Sequence, residues 1–224
     1  GALKHGKPLV SCRFDPTGHY LFAGSEDDTV QRWDLSGKPA TEADFQKIKP
    51  VAFDAHDGWP FALAFSPDGK FLLSGGTDGR LIRWSASDDK PRPIATIQAH
   101  HGWLRSIAVS PDGKTVATAG NDRKVRLWSL SDGAHLTDLP GHDRPVYRVG
   151  YSADGKLLFS ADLKGVVVEW DVRPGKEARR FDASKLYSYN GGQQVDYGGV
   201  RDIAISKDGT YLACSGLIDA SNPL

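Results

Sequence analysis

The 224-residue chain contains no methionine and only two cysteines, Cys12 and Cys214. Two cysteines are too few for a disulfide framework, and each lies in an apolar, strand-like stretch where a thiol acts as a small hydrophobe. No segment approaches the roughly 20 apolar residues that cross a bilayer, so no membrane insertion is expected. Because the chain begins with Gly1 and lacks methionine, upstream residues are expected to have been removed. A leader peptide could have been lost with them, so the compartment stays unknown.

The chain also lacks an excess of either charge, since 28 basic residues balance 28 acidic ones. A neutral chain has no broad electrostatic attraction for nucleic acid or for an anionic membrane surface. The composition therefore favours neither partner, although a local charged patch remains compatible with it.

A turn motif recurs five times along the chain. Its copies are Asp15–Gly18, Ser66–Gly69, Ser110–Gly113, Ser152–Gly155 and Ser206–Gly209. A tryptophan follows the closing glycine by fifteen positions in the first four copies, giving Trp33, Trp84, Trp128 and Trp170. A histidine precedes the same glycine by thirteen positions in those copies, giving His5, His56, His100 and His142. A unit of fixed length therefore repeats, and insertions fall between the units.

Each unit has the texture of short β-strands. Segments such as 61–65, 71–73 and 81–84 are apolar or alternating and are separated by Gly, Asp, Ser and Pro turns. In the turn Ser66–Gly69, proline presets φ and Asp-Gly allows the chain to reverse, which suits a hairpin. Residues 1–224 are therefore predicted to form four-stranded antiparallel units without helices. The approximate units are 5–54, 55–98, 99–140, 141–182 and a partial 183–224.

Units of this length with a Gly-His to Trp-Asp signature resemble the WD-repeat β-propeller family. The residues that carry the resemblance are Gly141-His142, Trp33-Asp34, Trp170-Asp171 and the aspartates six positions before tryptophan, Asp27, Asp78 and Asp122. The resemblance implies an all-β fold, with about 4.5 four-stranded blades of an incomplete propeller ring.

In that family a side-chain network from Trp through Ser or Thr to His and Asp pins each blade. The second copy has a complete set in Trp84, Ser74, His56 and Asp78, and the third in Trp128, Thr118, His100 and Asp122. The first keeps His5, Asp27 and Trp33 but has Ala23 in place of the hydroxyl. The fourth keeps His142, Ser160 and Trp170 but has Lys164 in place of the acid, so both of these networks are predicted to be broken.

The fifth copy departs furthest from the pattern, with Asp196 at the histidine position and Leu224 where tryptophan would stand. Its third strand is expected to be absent, so that the chain would end inside a blade. The sequence is accordingly interpreted as a piece of a longer propeller, whose missing blades come from the rest of the chain or from a partner.

No catalytic, metal or cofactor site is predicted. Ser74, His56 and Asp78 resemble a hydrolase triad, but the same trio recurs from unit to unit, which favours a structural role. His100-His101 lacks a metal-binding pattern around it. The glycine pairs Gly75-Gly76 and Gly191-Gly192 lack the spacing of a phosphate-binding loop.

The resemblance places an exposed pair of positions just after each histidine, on the top face of the propeller. These pairs are Pro8 and Val10, Trp59 and Phe61, Trp103 and Arg105, Pro145 and Tyr147, and Gly199 and Arg201. Exposed aromatic residues and arginines are enriched at binding hot spots, although Trp59 and Trp103 could instead cover neighbouring blades.

Two insertions separate the units. Asp182–Gly199 contains Tyr187, Tyr189 and Tyr197 and is interpreted as a top-face loop that either contacts a partner or packs on itself. Asp34–Pro50 is polar and is expected to be an ordinary loop on the opposite face.

The leading hypothesis is a non-catalytic protein-interaction scaffold that presents its top face to a protein or peptide. Its predicted contacts are Trp59, Phe61, Trp103, Arg105, Tyr147, Arg201, Tyr187, Tyr189 and Tyr197. The alternative is an accessory or sensor propeller of a larger enzyme, such as a kinase, protease or electron-transfer protein, with its catalytic part outside this chain.

Overall fold

A computed structural model describes residues 2–173, 175–190 and 195–216, with the side chains of 188–190 and 195–197 left out. The chain divides into two compact units, residues 1–98 and 99–224. Each unit is built almost entirely of antiparallel strands joined in sequence order.

The first unit contains two four-stranded sheets. The first sheet has the order β1-β2-β3-β4, formed by Leu9–Phe14, Tyr20–Ser25, Thr29–Asp34 and Val51–Asp54. The second has the order β5-β6-β7-β8, formed by Pro60–Phe65, Phe71–Gly76, Arg80–Ser85 and Ala95–Gln98. Both are antiparallel meanders, as the sequence predicts.

The insertion Asp34–Pro50 contains a helix, α1, over Glu42–Lys47, so the expectation of an ordinary loop without helix is wrong. The helix begins at a capping box, in which the Thr41 side chain accepts from the backbone N–H of Asp44 and the Asp44 side chain accepts from that of Thr41. Acidic side chains in the first turn also interact favourably with the helix dipole. Local capping therefore gives this polar segment a helical turn although the helix buries no side chain.

The second unit contains two further four-stranded sheets. The third sheet places β9 to β12 in sequence order, formed by Leu104–Val109, Thr115–Gly120, Val125–Ser129 and His135–Leu139. The fourth has the order β13-β14-β15-β16, formed by Val146–Tyr151, Leu157–Asp162, Val166–Asp171 and Lys176–Asp182.

The described residues of the insertion Asp182–Gly199 include a short 3₁₀ turn, Ser184–Leu186, and two paired strands. Strands β17, Tyr187–Asn190, and β18, Val195–Gly198, pair in antiparallel register. Strands β19, Val200–Ile205, and β20, Leu212–Gly216, then form a two-stranded sheet. The prediction that the fifth copy lacks its third strand concerns residues 217–224, which include Leu224 and lie outside the described residues. The pair Gly191-Gly192 also lies outside them.

The repeated turn joins the first two strands by the same side-chain hydrogen bonds in the four copies that begin with serine, whereas Asp15 accepts from Thr17 and Tyr20 in the first copy. In Ser66–Gly69, the Ser66 hydroxyl donates to Asp68 at 2.6 Å and accepts from the backbone N–H of Phe71 at 2.9 Å. Gly69 has a φ of 71°, a left-handed conformation that glycine adopts without steric cost. The sequence motif therefore encodes the hairpin directly.

The hydrophobic core of each unit lies between successive sheets. In the first unit Phe22 and Phe53 of the first sheet pack with Leu72 and Trp84 of the second. Rings of Phe53 and Trp84 meet edge to face with centroids 5.4 Å apart. In the second unit an equivalent cluster joins the third and fourth sheets, and its largest member is Trp170.

Both cysteines lie on strands, Cys12 on β1 and Cys214 on β20. Cys214 is half-buried, and burial raises the pKa of its thiol. Cys12 is exposed.

Candidate functional site

A relay of hydrogen bonds runs through the second sheet from tryptophan to aspartate. Nε1 of Trp84 donates to the Ser74 hydroxyl at 2.8 Å, and that hydroxyl lies 2.8 Å from Nε2 of His56. Nδ1 of His56 lies 2.8 Å from Asp78. An ionised carboxylate only accepts, so Nδ1 of His56 donates to Asp78, and in the neutral ring Nε2 then accepts from the Ser74 hydroxyl. The four residues proposed from sequence are therefore in contact in the predicted order.

The third sheet repeats the relay with threonine as the hydroxyl. Trp128 donates to Thr118 at 2.9 Å, and Thr118 and Asp122 each lie 2.8 Å from a nitrogen of His100. Arg126 donates to Asp122 at 2.7 Å. Burial raises the pKa of Asp122, but the hydrogen bonds and charges of His100 and Arg126 outweigh it and leave the pKa lowered. Burial lowers the pKa of His100, which favours the neutral ring that the relay needs.

The fourth sheet has a complete relay, so the prediction of a broken network there is wrong. Trp170 donates to Ser160 at 2.8 Å, and Ser160 lies 2.7 Å from Nε2 of His142. The acid is Asp162, whose carboxylate lies 3.0 Å from Nδ1 of His142. Asp162 is the last residue of β14, two positions before Lys164, and the end of the hairpin brings it to the same ring nitrogen.

The first sheet has the interrupted relay that was predicted from Ala23. The buried Nε1 of Trp33 has no hydrogen-bond partner among the described residues. His5 nevertheless has a hydroxyl partner, because its Nε2 lies 2.9 Å from the hydroxyl of Ser25. The same nitrogen lies 3.0 Å from the carboxylate of Asp27. Ser25 thus replaces the missing hydroxyl for the histidine but leaves the tryptophan unpaired.

The burial and the hydrogen bonds of the relay hydroxyls indicate a structural role for the residues that resemble a hydrolase triad. The hydroxyl residues Ser74, Thr118 and Ser160 are completely buried, and each hydroxyl already accepts a tryptophan N–H. A buried polar group that is fully paired stabilises its sheet, whereas a nucleophile has to be accessible to a substrate.

A row of stacked arginine and aromatic side chains crosses the second unit. The guanidinium carbon of Arg105 lies 4.1 Å from the ring centroid of Trp103 and 4.5 Å from that of Tyr147. The guanidinium carbon of Arg201 lies 4.5 Å from the same Tyr147 ring. We call Trp103, Arg105, Tyr147 and Arg201 the arginine–aromatic stack. These distances are typical of cation–π interactions.

Register explains why these residues meet. Arg105, Tyr147 and Arg201 are each the second residue of the first strand of a sheet, on β9, β13 and β19. Nε of Arg105 also donates to Asn121, just after β10, at 2.7 Å. Asn121 was missed at the sequence level, where its only signal was its position directly before the network residue Asp122.

The stack is partly buried and carries two positive charges. Trp103 remains 40% exposed, while Arg105, Tyr147 and Arg201 are half-buried. Burial lowers the pKa of Arg105, Tyr147 opposes this effect, and the like charge of Arg201 lowers it further. The Nε atom of Arg201 is buried without a hydrogen-bond partner among the described residues.

The equivalent positions of the first unit are less polar. Trp59 is 43% exposed, and its backbone N–H donates to the Thr77 hydroxyl at 3.0 Å. Phe61, the second residue of β5, is half-buried, while Pro8 is exposed and Val10 half-buried. The two aromatic residues at these positions of the first unit, Trp59 and Phe61, therefore lie just before and within β5 of the second sheet.

The tyrosines of the insertion are only partly described. Tyr187 is half-buried, and the Lys164 ammonium lies 5.8 Å from its ring centroid. The side chains of Tyr189 and Tyr197 lie outside the described residues. Their role in binding stays a prediction.

In the part of the chain that the structure describes, no group of three or more His, Cys, Asp or Glu side chains lies close enough together to hold a metal ion. Both ring nitrogens of His100 are engaged in the relay of its sheet. No helix in the same residues is long and apolar enough to span a membrane.

Four-stranded antiparallel meanders in series, three of them with a complete Trp–hydroxyl–His–Asp relay, define blades of the β-propeller class. The predicted all-β blade architecture is thus confirmed. The profile of the family described as "WD domain, G-beta repeat" matches residues 3–34, 48–85, 91–129 and 133–171, more than half of the chain. The chain belongs to this WD40 family.

Curated relatives agree with the family assignment. A component of chromatin assembly factor 1 from Mus musculus is 26% identical over 169 residues, 75% of this chain and 25% of the relative. Periodic tryptophan protein 2 homolog of Schizosaccharomyces pombe is 25% identical over 191 residues, 85% of this chain and 18% of the relative. Ribosome assembly protein 4 of Chaetomium thermophilum is 37% identical over 70 residues, 30% of this chain and 12% of the relative. The matches therefore span a quarter or less of these relatives.

Proposed function

We propose that this chain is a non-catalytic protein-interaction scaffold and that the arginine–aromatic stack is its docking surface in the second unit. The observation that carries the proposal is the continuous stacking of four side chains, three of which, Arg105, Tyr147 and Arg201, occupy the same register position of successive sheets. Tryptophan, tyrosine and arginine are the residue types most enriched at binding hot spots. The names of two relatives, a chromatin assembly factor component and a ribosome assembly protein, support the scaffold class.

Further contacts follow from the same reasoning. Trp59 and Phe61 are proposed to contribute a contact of their own in the first unit, because Phe61 has the register position of Arg105 and Tyr147. Tyr187, Tyr189 and Tyr197 are proposed contacts on the hairpin that precedes β19.

Binding at such a surface relies on rigidity. The complete relays of the third and fourth sheets fix the strands that carry Arg105 and Tyr147. The mutual stacking of the four side chains limits their rotamers before a partner arrives. A preorganised surface loses little side-chain entropy on binding, so a few anchors supply most of the affinity.

Site-specific photo-crosslinking in the full-length protein tests this proposal. p-Benzoylphenylalanine replaces Trp103 in one variant and Tyr211 in a control variant. Tyr211 is 73% exposed and follows the turn at the far end of β19 from Arg201, so it offers an aromatic side chain away from the stack. We expect the probe at position 103 to give discrete protein adducts that the probe at position 211 does not give.

A second arm removes the anchors without adding a probe. The double substitution Trp103→Ala with Arg105→Ala is expected to release the proteins that crosslink at position 103, while Tyr211→Ala retains them. Identical adducts from positions 103 and 211, or full retention by the double variant, would refute the docking surface.

A further inference from the structure

The arginine–aromatic stack holds two like charges against one ring. Arg105 and Arg201 both place the guanidinium carbon 4.5 Å from the centroid of Tyr147. Cation–π contact with the ring compensates only part of the cost of partly burying two cations side by side. A complementary negative charge would relieve both the repulsion and the desolvation.

Among the described residues, no carboxylate supplies that negative charge to Arg201. Over the described residues Arg201 forms no ion pair, and its buried Nε lacks a hydrogen bond. The adjacent Asp202 instead pairs with Arg148 at 3.0 Å. The overall charge is zero, so the positive potential of the stack is a local feature and not part of a general basic surface.

We propose that the arginine–aromatic stack binds a carboxylate side chain in an acidic peptide segment of a protein partner. The planar guanidinium of Arg201 offers N–H groups in the fork that matches a carboxylate, and Trp103, which is 40% exposed, offers apolar surface to the methylene stem of glutamate. This inference rests on the proposed docking function and names the chemistry of the partner.

A carboxylate fits the stack better than a phosphate group. A phosphate brings close to two negative charges and three strong acceptor oxygens, and its desolvation requires correspondingly more donors. The stack contains two guanidinium groups, and Nε of Arg105 already donates to Asn121. A single negative charge with two oxygens matches the bidentate fork of one guanidinium group, that of Arg201.

Fluorescence anisotropy with defined peptides and the full-length protein tests the proposal. The probes are fluorescein-labelled hexaglutamate, hexaglutamine of the same length, and a Gly-Ser peptide of that length with one phosphoserine. Hexaglutamate is expected to bind about tenfold or more tightly than hexaglutamine, as charge-assisted hydrogen bonds require. Its affinity is expected to fall between low and physiological ionic strength.

Matched variants locate the site. Arg201→Gln and Arg105→Gln are each expected to weaken hexaglutamate binding about tenfold. Arg92→Gln, an exposed arginine in the first unit, makes the same change in net charge and is expected to leave binding unchanged. If Arg201→Gln lowers the thermal midpoint, Arg201→Lys keeps the charge, removes the planar fork and is still expected to weaken binding severalfold.

Three outcomes would overturn the inference: equal affinity for hexaglutamate and hexaglutamine, an effect of Arg92→Gln as large as that of Arg201→Gln, or binding of the phosphoserine peptide alone. Persistent crosslinks from position 103 combined with no hexaglutamate binding would refute the acidic partner and leave the docking surface standing. Loss of both would refute both proposals.

Discussion

Replacing Asp162 by alanine tests the acid that closes the relay of the fourth sheet. The Asp162 carboxylate is almost completely buried and accepts from His142 at 3.0 Å and from the backbone N–H groups of Lys164 at 2.9 Å and Val166 at 3.0 Å. Alanine would leave three donors without an acceptor inside the sheet.

The expected cost is large for one substitution. Each buried donor left unpaired costs about 1–3 kcal/mol, and the three share one acceptor, so their costs do not add fully. We expect Asp162→Ala to lower the free energy of unfolding by about 3–5 kcal/mol, because three donors lose the one charged acceptor that they share. Asp162→Asn keeps an acceptor oxygen for the backbone and is expected to cost about 1–3 kcal/mol.

Lys164→Ala is the matched control, because Lys164 occupies the position where the repeat pattern places the acid. Its side chain is exposed, so a change within about 0.5 kcal/mol is expected. Urea unfolding of the full-length protein, followed by tryptophan fluorescence, measures the shift in midpoint at constant slope. A cost below about 1 kcal/mol for Asp162→Ala, or an equal cost for Lys164→Ala, would refute the assignment of Asp162.

Two further predictions concern the relays of the first and third sheets. Ala23→Ser should give the unpaired Nε1 of Trp33 an acceptor and raise the free energy of unfolding by about 1 kcal/mol in urea unfolding; a lower midpoint would contradict this. The pKa of Asp122 is lowered from 3.8 in the folded state, so its stabilisation is present above that value and lost as the pH falls below it. Asp122→Asn should therefore flatten the acid limb of the stability–pH curve, and an unchanged limb would contradict the relay.

The repeat could be predicted from the sequence because each turn is held by contacts between residues that are close together in the chain. The Ser-Pro-Asp-Gly segment encodes its own hydrogen bonds and a left-handed glycine within a few residues, so spacing alone located the hairpins. The relays of the second and third sheets followed from the same fixed spacing. Local capping by Thr41 and Asp44 was also present in the sequence, but the polar composition around it favoured a loop prediction.

The fourth relay and the stack required the tertiary structure. A carboxylate can reach a histidine nitrogen from either Asp162 or position 164, and only the path of the hairpin decides which position is used. Likewise, the arginines and aromatic residues at equivalent positions of the repeats could be found by counting along the sequence. The distances between their side chains could not be predicted in this way. Arg105 and Tyr147 are far apart along the chain and meet because neighbouring sheets pack face to face.

The amino-acid sequence by itself determined the repeated strands, the hairpin turns and most members of each relay, since these depend on contacts within one unit. The tertiary structure alone decided which carboxylate pairs with His142, that Ser25 serves His5, and that Arg105 and Arg201 share the Tyr147 ring. The physical reason is that such contacts depend on distances between side chains, which are set by how strands bend and how sheets pack.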